Sequence, residues 1–201
     1  MINVNDYKEN GFILLKGFFQ GHEMDVIRNE AKEVFLLQLL RHGLAQSGDL
    51  EQISEREFET SLYRLFEDDL PAFVNSGKQI QHLISLHRLA LDERVVGVLK
   101  QLGLEFPNIC TRPIMYFNTR HLAKKEVFWR LAVHQDWRSM QGSLDSVVLW
   151  IPLVDVDKAL GALEVIPGSH REGLLSADLI DGYGHLKQEI DLSNAVTMEM
   201  E

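Results

Sequence analysis

The residues of this chain best suited to chemistry sit in one stretch, Val133-His134-Gln135-Asp136-Trp137. Side chains at i and i+2 of a β-strand point to the same face, so His-x-Asp at a strand end aims an imidazole and a carboxylate into one space. That pair is two thirds of the 2-His-1-carboxylate facial triad, which leaves positions on a non-haem Fe(II) open for substrate and O₂. The spacing alone is a weak signal. With 8 His and 13 Asp in the chain, chance supplies roughly half a His-x-Asp. The setting adds weight. An aromatic, β-branched run precedes the motif. Val147-Val148-Leu149-Trp150-Ile151-Pro152-Leu153 and Gly161-Ala162-Leu163-Glu164-Val165-Ile166-Pro167-Gly168-Ser169-His170 follow it.

Other groups that could do chemistry read as structural first. His170 lies in a Pro-Gly-Ser-His turn and His185 in the loop 181–185, and either could in principle replace a ligand. His22, His42, His82, His87 and His121 fall on helices or loops. His82 and His87 are five apart, a spacing that does not share a helix face as i,i+4 does. Arg138, two residues past Asp136, either faces a substrate carboxylate or is a loop cation. Arg112 before Pro113, and the turn residues Asp155 and Asp157, read as structural. The single cysteine, Cys110, rules out an internal disulfide framework and a multi-cysteine zinc site; its type suggests a small buried hydrophobe.

The elements that must position these groups follow from patterning. Residues 5–11 read as a short helix closed by Gly11, and 12–15 as a short buried strand turned by Lys16-Gly17. From 23 to 44, Met24, Ile27, Ala31, Val34, Phe35 and Leu39 recur at helical spacing, with Gly43 as cap. Ser54-x-x-Glu57 is a capping box opening a helix through Phe66. Asp68-Asp69-Leu70-Pro71 breaks or restarts it. A further helix is expected over 73–91, with Ile80, Leu83, Ile84, Leu86, Leu89 and Ala90 on its core side. Asp92 caps another to Leu102, ended by Gly103. Beyond Phe106-Pro107 the pattern becomes strand-like, at 109–117, 127–133, 146–153 and 162–166. The apolar run 146–153 is expected to be a strand buried on both faces. Helices first and strands after make an α+β chain whose sheet half suits a barrel or sandwich.

A length of 201 residues fits one domain with an ample core. No apolar run reaches the ~18 residues of a membrane span, and the first residues lack the features of a signal peptide. A formal charge of −10 argues against nucleic acid and anionic membranes as partners. A cytoplasmic protein is expected.

The combination of His134-Gln135-Asp136, Trp150-Ile151-Pro152-Leu153 and the Gly161 to His170 motif resembles the phytanoyl-CoA dioxygenase family of Fe(II)- and 2-oxoglutarate-dependent oxygenases. Gly11-Phe12-Ile13-Leu14-Leu15-Lys16-Gly17-Phe18-Phe19 resembles that family's opening strand. The resemblance implies a double-stranded β-helix (a cupin-like jelly roll) with N-terminal helices. It implies one dioxygenase-like domain over 1–201, mainly helical over 1–105 and β-helical over 106–201. His134 and Asp136 would be iron ligands and catalytic. Met115, Asn118 and Trp150 would contact 2-oxoglutarate, and Arg138 is the candidate substrate contact. Oxidative decarboxylation of 2-oxoglutarate to succinate and CO₂, with O₂, would drive hydroxylation of a small-molecule C–H bond. Asp136 favours hydroxylation, because related halogenating enzymes replace that carboxylate with a small residue.

The family's distal histidine, and the basic residue that pairs with 2-oxoglutarate, are expected beyond Glu201. The chain therefore reads as C-terminally truncated, with the final core strands missing. Such a sheet exposes edges and apolar faces, which a homo-oligomer would cover. The alternatives on the same fold are a non-catalytic cupin-like binding module or inactive fragment, and a metal-dependent isomerase or lyase acting without 2-oxoglutarate.

Overall fold

The computed structural model describes residues 2–46, 48, 50–116, 131–137, 142–180, 183–187 and 189–200. Asn118 and Arg138 lie outside the described residues. The chain is α+β, with the helices first and the strands after, and it divides into two compact units. One comprises Gly21–Leu91 and Arg112–Arg130, the other Met1–Gln20, Asp92–Thr111 and Leu131–Glu201. Among the described residues no helix is long and apolar enough to cross a membrane.

The first of these units is built on helices α2 (Gly21–Arg41), α3 (Glu55–Asp68), α4 (Leu70–Ile80) and α5 (Ile84–Ala90); helix α1 belongs to the second unit. Ala31, Phe35, Leu36 and Leu39 fall on one face of α2. They bury against Phe58, Leu62 and Leu65 of α3 and Ile80 of α4. Phe73 meets the Phe35 and Phe66 rings with centroids 5.4 Å away in each case, edge-on to Phe66, a geometry aromatic quadrupoles favour. The capping box forms in full: Ser54 Oγ accepts from the Glu57 amide, and Glu57 Oε2 accepts from the Ser54 amide at 3.0 Å. Helix α4 starts where the sequence restarts. Asp69 Oδ1 accepts from the Ala72 amide at 2.9 Å, and Pro71 occupies the first turn, where a missing N–H costs nothing.

The helix expected over 73–91 is two helices, parted at 81–83. A helix turns about 100° per residue, so Ile80 and Leu89 of one continuous helix would stand on opposite faces. The chain resolves this by setting Leu83 in an extended conformation (ψ 134°), which rephases α5 so that Leu86 and Leu89 are buried along with Ile80. The same break leaves Ile84 69% exposed rather than in the core. It also brings the His82 and His87 rings together, centroids 6.4 Å apart and planes 19° from parallel, although their spacing separates them on an uninterrupted helix.

The second unit contains α1 (Val4–Asn10), α6 (Glu93–Gln101) and four described strands. Strand β1 (Leu163–Val165) pairs antiparallel with β4 (Val196–Met198), Leu163 opposite Met198. Val156 and Met200 continue that edge through two mutual backbone hydrogen bonds of 2.8 and 3.0 Å. At the end of the chain Met198 and Met200 are buried while Val196 is exposed, and Val95 and Val98 of α6 are buried. Strands β2 (Ala177–Ile180) and β3 (Tyr183–Leu186) pair antiparallel, with Ile180 opposite Tyr183. His185 is thus in a strand, not a loop. The signal was present: Asp181-Gly182, two residues between apolar stretches, is a strong hairpin cue.

Several expected strands do not form among the described residues. Residues 12–15, 109–116 and 146–153 have no ladder. Of the strand expected over 127–133, residues 127–130 lie outside the described residues, and 131–133 carry no ladder although the adjoining His134 is a β-bridge residue. An apolar run becomes a doubly buried strand only when neighbours pair with both its edges, and here the described strands pair with each other. Val148, Leu149 and Trp150 are consequently exposed, Trp150 by 43%. Cys110 is exposed too; a Cβ on Gly142 would stand 2.8 Å from its sulfur.

Candidate metal centre

His134 and Asp136 meet. His134 Nε2 lies 3.3 Å from Asp136 Oδ1, although His134 is a β-bridge residue and Asp136 already stands in a turn. His134 Nδ1 is 2.7 Å from the Ala132 carbonyl oxygen. A carbonyl only accepts, so Nδ1 carries a proton and the tautomer is fixed with Nε2 toward Asp136. The side chains are 27% and 47% exposed, which leaves the pair open to a ligand.

The electrostatics follow from that geometry. The hydrogen bond to Asp136 raises the His134 pKa above the ordinary histidine value; burial opposes the rise and the Ala132 carbonyl adds to it. Acceptors at both ring nitrogens favour the protonated ring. Loss of the Nε2 proton turns the same arrangement into a nitrogen lone pair beside a carboxylate oxygen. Adjacent ligands of a six-coordinate cation with bonds of about 2.1 Å stand about 3 Å apart. One imidazole and one carboxylate 3.3 Å apart fit such an ion, and the Ala132 contact is the outer hydrogen bond that orients a ligating histidine. Among the described residues, no group of three or more His, Cys, Asp or Glu gathers as a metal site.

The other expected site residues are more dispersed. Met115 packs, partly buried, on the Phe35–Leu65 core of the helical unit. Trp150 belongs to the second unit and is exposed. Arg112 donates through Nε to Gln81 Oε1 at 2.8 Å, a structural contact. His170 holds α1: its Nε2 donates to the Lys8 carbonyl at 3.2 Å.

Sequence reasoning passed over Gln135, the residue between the pair. Its Nε2 donates to the Gly173 carbonyl at 2.8 Å, and its Oε1 accepts from the Leu175 amide at 2.9 Å. The one cue in the sequence was position: in a strand the residue between two ligands points away from them.

A model of the phytanoyl-CoA dioxygenase family matches residues 7–201. No curated protein and no solved structure matches the chain. Because the family match covers the helical unit, the His134–Asp136 pair and the terminal strands alike, the chain belongs to the phytanoyl-CoA dioxygenase family.

Proposed function

We propose that this chain is an Fe(II)- and 2-oxoglutarate-dependent dioxygenase that hydroxylates a C–H bond of a small molecule. Family membership points to oxygenase chemistry of this type. The observation that carries the finer reading is the His134–Asp136 pair, 3.3 Å apart with the imidazole tautomer fixed by Ala132. A neutral nitrogen and a hard carboxylate oxygen are the donor types that retain Fe(II) while leaving positions for other ligands. When bound there, iron with 2-oxoglutarate and O₂ would supply the oxidising power, yielding succinate and CO₂.

The chain's own part is to hold and orient. Ala132 keeps the Nδ1 proton of His134, so Nε2 is the nitrogen that gives up its proton when a cation binds. Trp150 is proposed as an apolar wall for the co-substrate, and Arg138 as the cation facing a substrate carboxylate. The double-stranded β-helix is the fold this reading requires; the β1–β4 and β2–β3 pairs are consistent with parts of it.

The deciding experiment is an anaerobic titration of the 201-residue chain with Fe(II) and 2-oxoglutarate, following the weak visible charge-transfer band of their chelate. A band in the wild type that disappears in Asp136→Ala supports the reading. Folded protein that shows no band overturns it in favour of a ligand-binding module on the same fold.

A further inference from the structure

We propose that Gln135 is the positioning residue of the His134–Asp136 pair, holding it against a segment that is itself anchored to helix α1. The inference rests on the reading of His134 and Asp136 as metal donors and adds what fixes their placement.

Gln135 makes a two-ended contact with backbone, not with another side chain. Its amide nitrogen donates to Gly173 O and its oxygen accepts from Leu175 N, at 2.8 and 2.9 Å. Only one orientation of the carboxamide satisfies a carbonyl on one side and an N–H on the other, so the side chain is locked. A strand neighbour in a parallel ladder bonds in this same pattern, to the carbonyl of one residue and the amide two positions on. The side-chain amide therefore adds strand-like contacts next to His134, where the backbone forms only a β-bridge. It ties down the backbone between the two donors.

The segment it grips is fixed from the other end. Residues Ser169–Glu172 form a 3₁₀ turn closed by Gly173. That turn is bonded to the last turn of α1: the Gly168 amide donates to Asn10 O at 2.8 Å and Arg171 Nη2 to Glu9 O at 2.8 Å. His170 joins them at Lys8 O. A relay of backbone contacts thus runs from α1 through 168–175 to Gln135, and His134 and Asp136 flank its end. Donor placement within a few tenths of an ångström governs metal affinity, and residues one layer out typically account for about 10- to 100-fold of it.

The test is Co(II) titration of the full chain, read by its visible ligand-field bands, together with amide hydrogen exchange at Leu175. Gln135→Met keeps side-chain length and removes both hydrogen bonds. We expect a Kd for Co(II) raised about 10- to 100-fold, altered bands at saturation, and faster exchange at Leu175. Gln135→Asn, one methylene short, is the milder variant and should move both readouts in the same direction. Faster exchange at Leu175 with wild-type Co(II) affinity and bands would overturn the positioning role, as would unchanged exchange in both variants. Asp136→Ala is the control for the donors themselves. If it binds Co(II) like the wild type, the metal reading fails and this inference with it, an outcome distinct from a null result at Gln135 alone.

Discussion

The His170 imidazole lies against the backbone of Gly11 so closely that a Cβ on Gly11 would stand 2.3 Å from Nδ1. Gly11 has φ +82°, the left-handed conformation that ends a helix. The contact joins residues far apart in the chain and completes the C-terminus of α1. A helix leaves its last four carbonyls without internal donors. Here Tyr7 O receives the Gly11 amide, Lys8 O receives His170, Glu9 O receives Arg171 and Asn10 O receives the Gly168 amide. The Arg171 charge also complements the negative helix end. A seven-residue helix is marginal alone, so this clasp is what holds it.

Gly11→Ala should therefore be costly, by about 1–3 kcal/mol, from left-handed strain and from collision with the ring. In a His170→Ala background the collision disappears and only the strain remains. Urea unfolding of the two single variants and the double variant should show a double that is more stable than the sum of the singles. Strict additivity would mean that the ring does not press on Gly11 in solution.

Leu39 and Leu65 are fully buried at the centre of the helical unit. Leu39→Ala removes three methyl or methylene groups' worth of packing from a site that the α2–α3–α4 contacts keep from collapsing. A loss of about 2–5 kcal/mol is expected by chemical denaturation. Leu37→Ala, on the exposed face of the same helix, is the control and should stay within about 0.5 kcal/mol.

Ser54→Ala removes the Oγ half of the capping box at α3, together with the Oγ bond to the Glu57 carboxylate, and leaves the amide of residue 54 as its donor; it should cost about 1 kcal/mol. The two hydrogen bonds from Ser54, side chain first and then backbone, hold the Glu57 carboxyl below its usual pKa. An NMR titration of Glu57 should accordingly move upward in the variant.

His42 and Asp69 form a pH-dependent tie between α2 and the start of α4. His42 Nδ1 donates to Gln38 O at 2.8 Å and Nε2 to Asp69 Oδ2 at 3.1 Å. The Gln38 carbonyl first, and Asp69 second, raise the His42 pKa. The Ala72 amide and then His42 lower that of Asp69. A raised histidine contributes fully below its unfolded value of about 6.5 and is lost as pH climbs through the folded value. A depressed aspartate contributes above about 4 and is lost as pH falls through the folded value. The tie is thus strongest between about pH 4 and 6.5. His42→Gln should lower the melting temperature more at pH 5.5 than at pH 8.5; an equal loss at both would rule out the charged pair.

Local signals in the sequence decided what depends on a few neighbouring residues. Gly11, Ser54 with Glu57, Asp69 with Pro71, Asp92 and Gly103 each mark a helix end that the structure contains, because a cap is satisfied within one turn of chain. The His134–Asp136 pairing was legible because the two residues are only two apart, although a turn at Asp136, not a continuous strand, brings them together. The family motifs extended that reading across the chain.

Tertiary structure alone decided the rest. Apolar content could not separate one helix over 73–91 from two, since the break depends on the tertiary packing that buries Ile80, Leu86 and Leu89 together. It could not decide the fate of 146–153, because strand formation requires partners that sequence does not name. Gln135 and His170 show the limit most clearly. Each acts through backbone atoms remote in sequence, at Gly173, Leu175 and Lys8, and a hydrogen bond of that kind leaves no spacing or residue pattern to read.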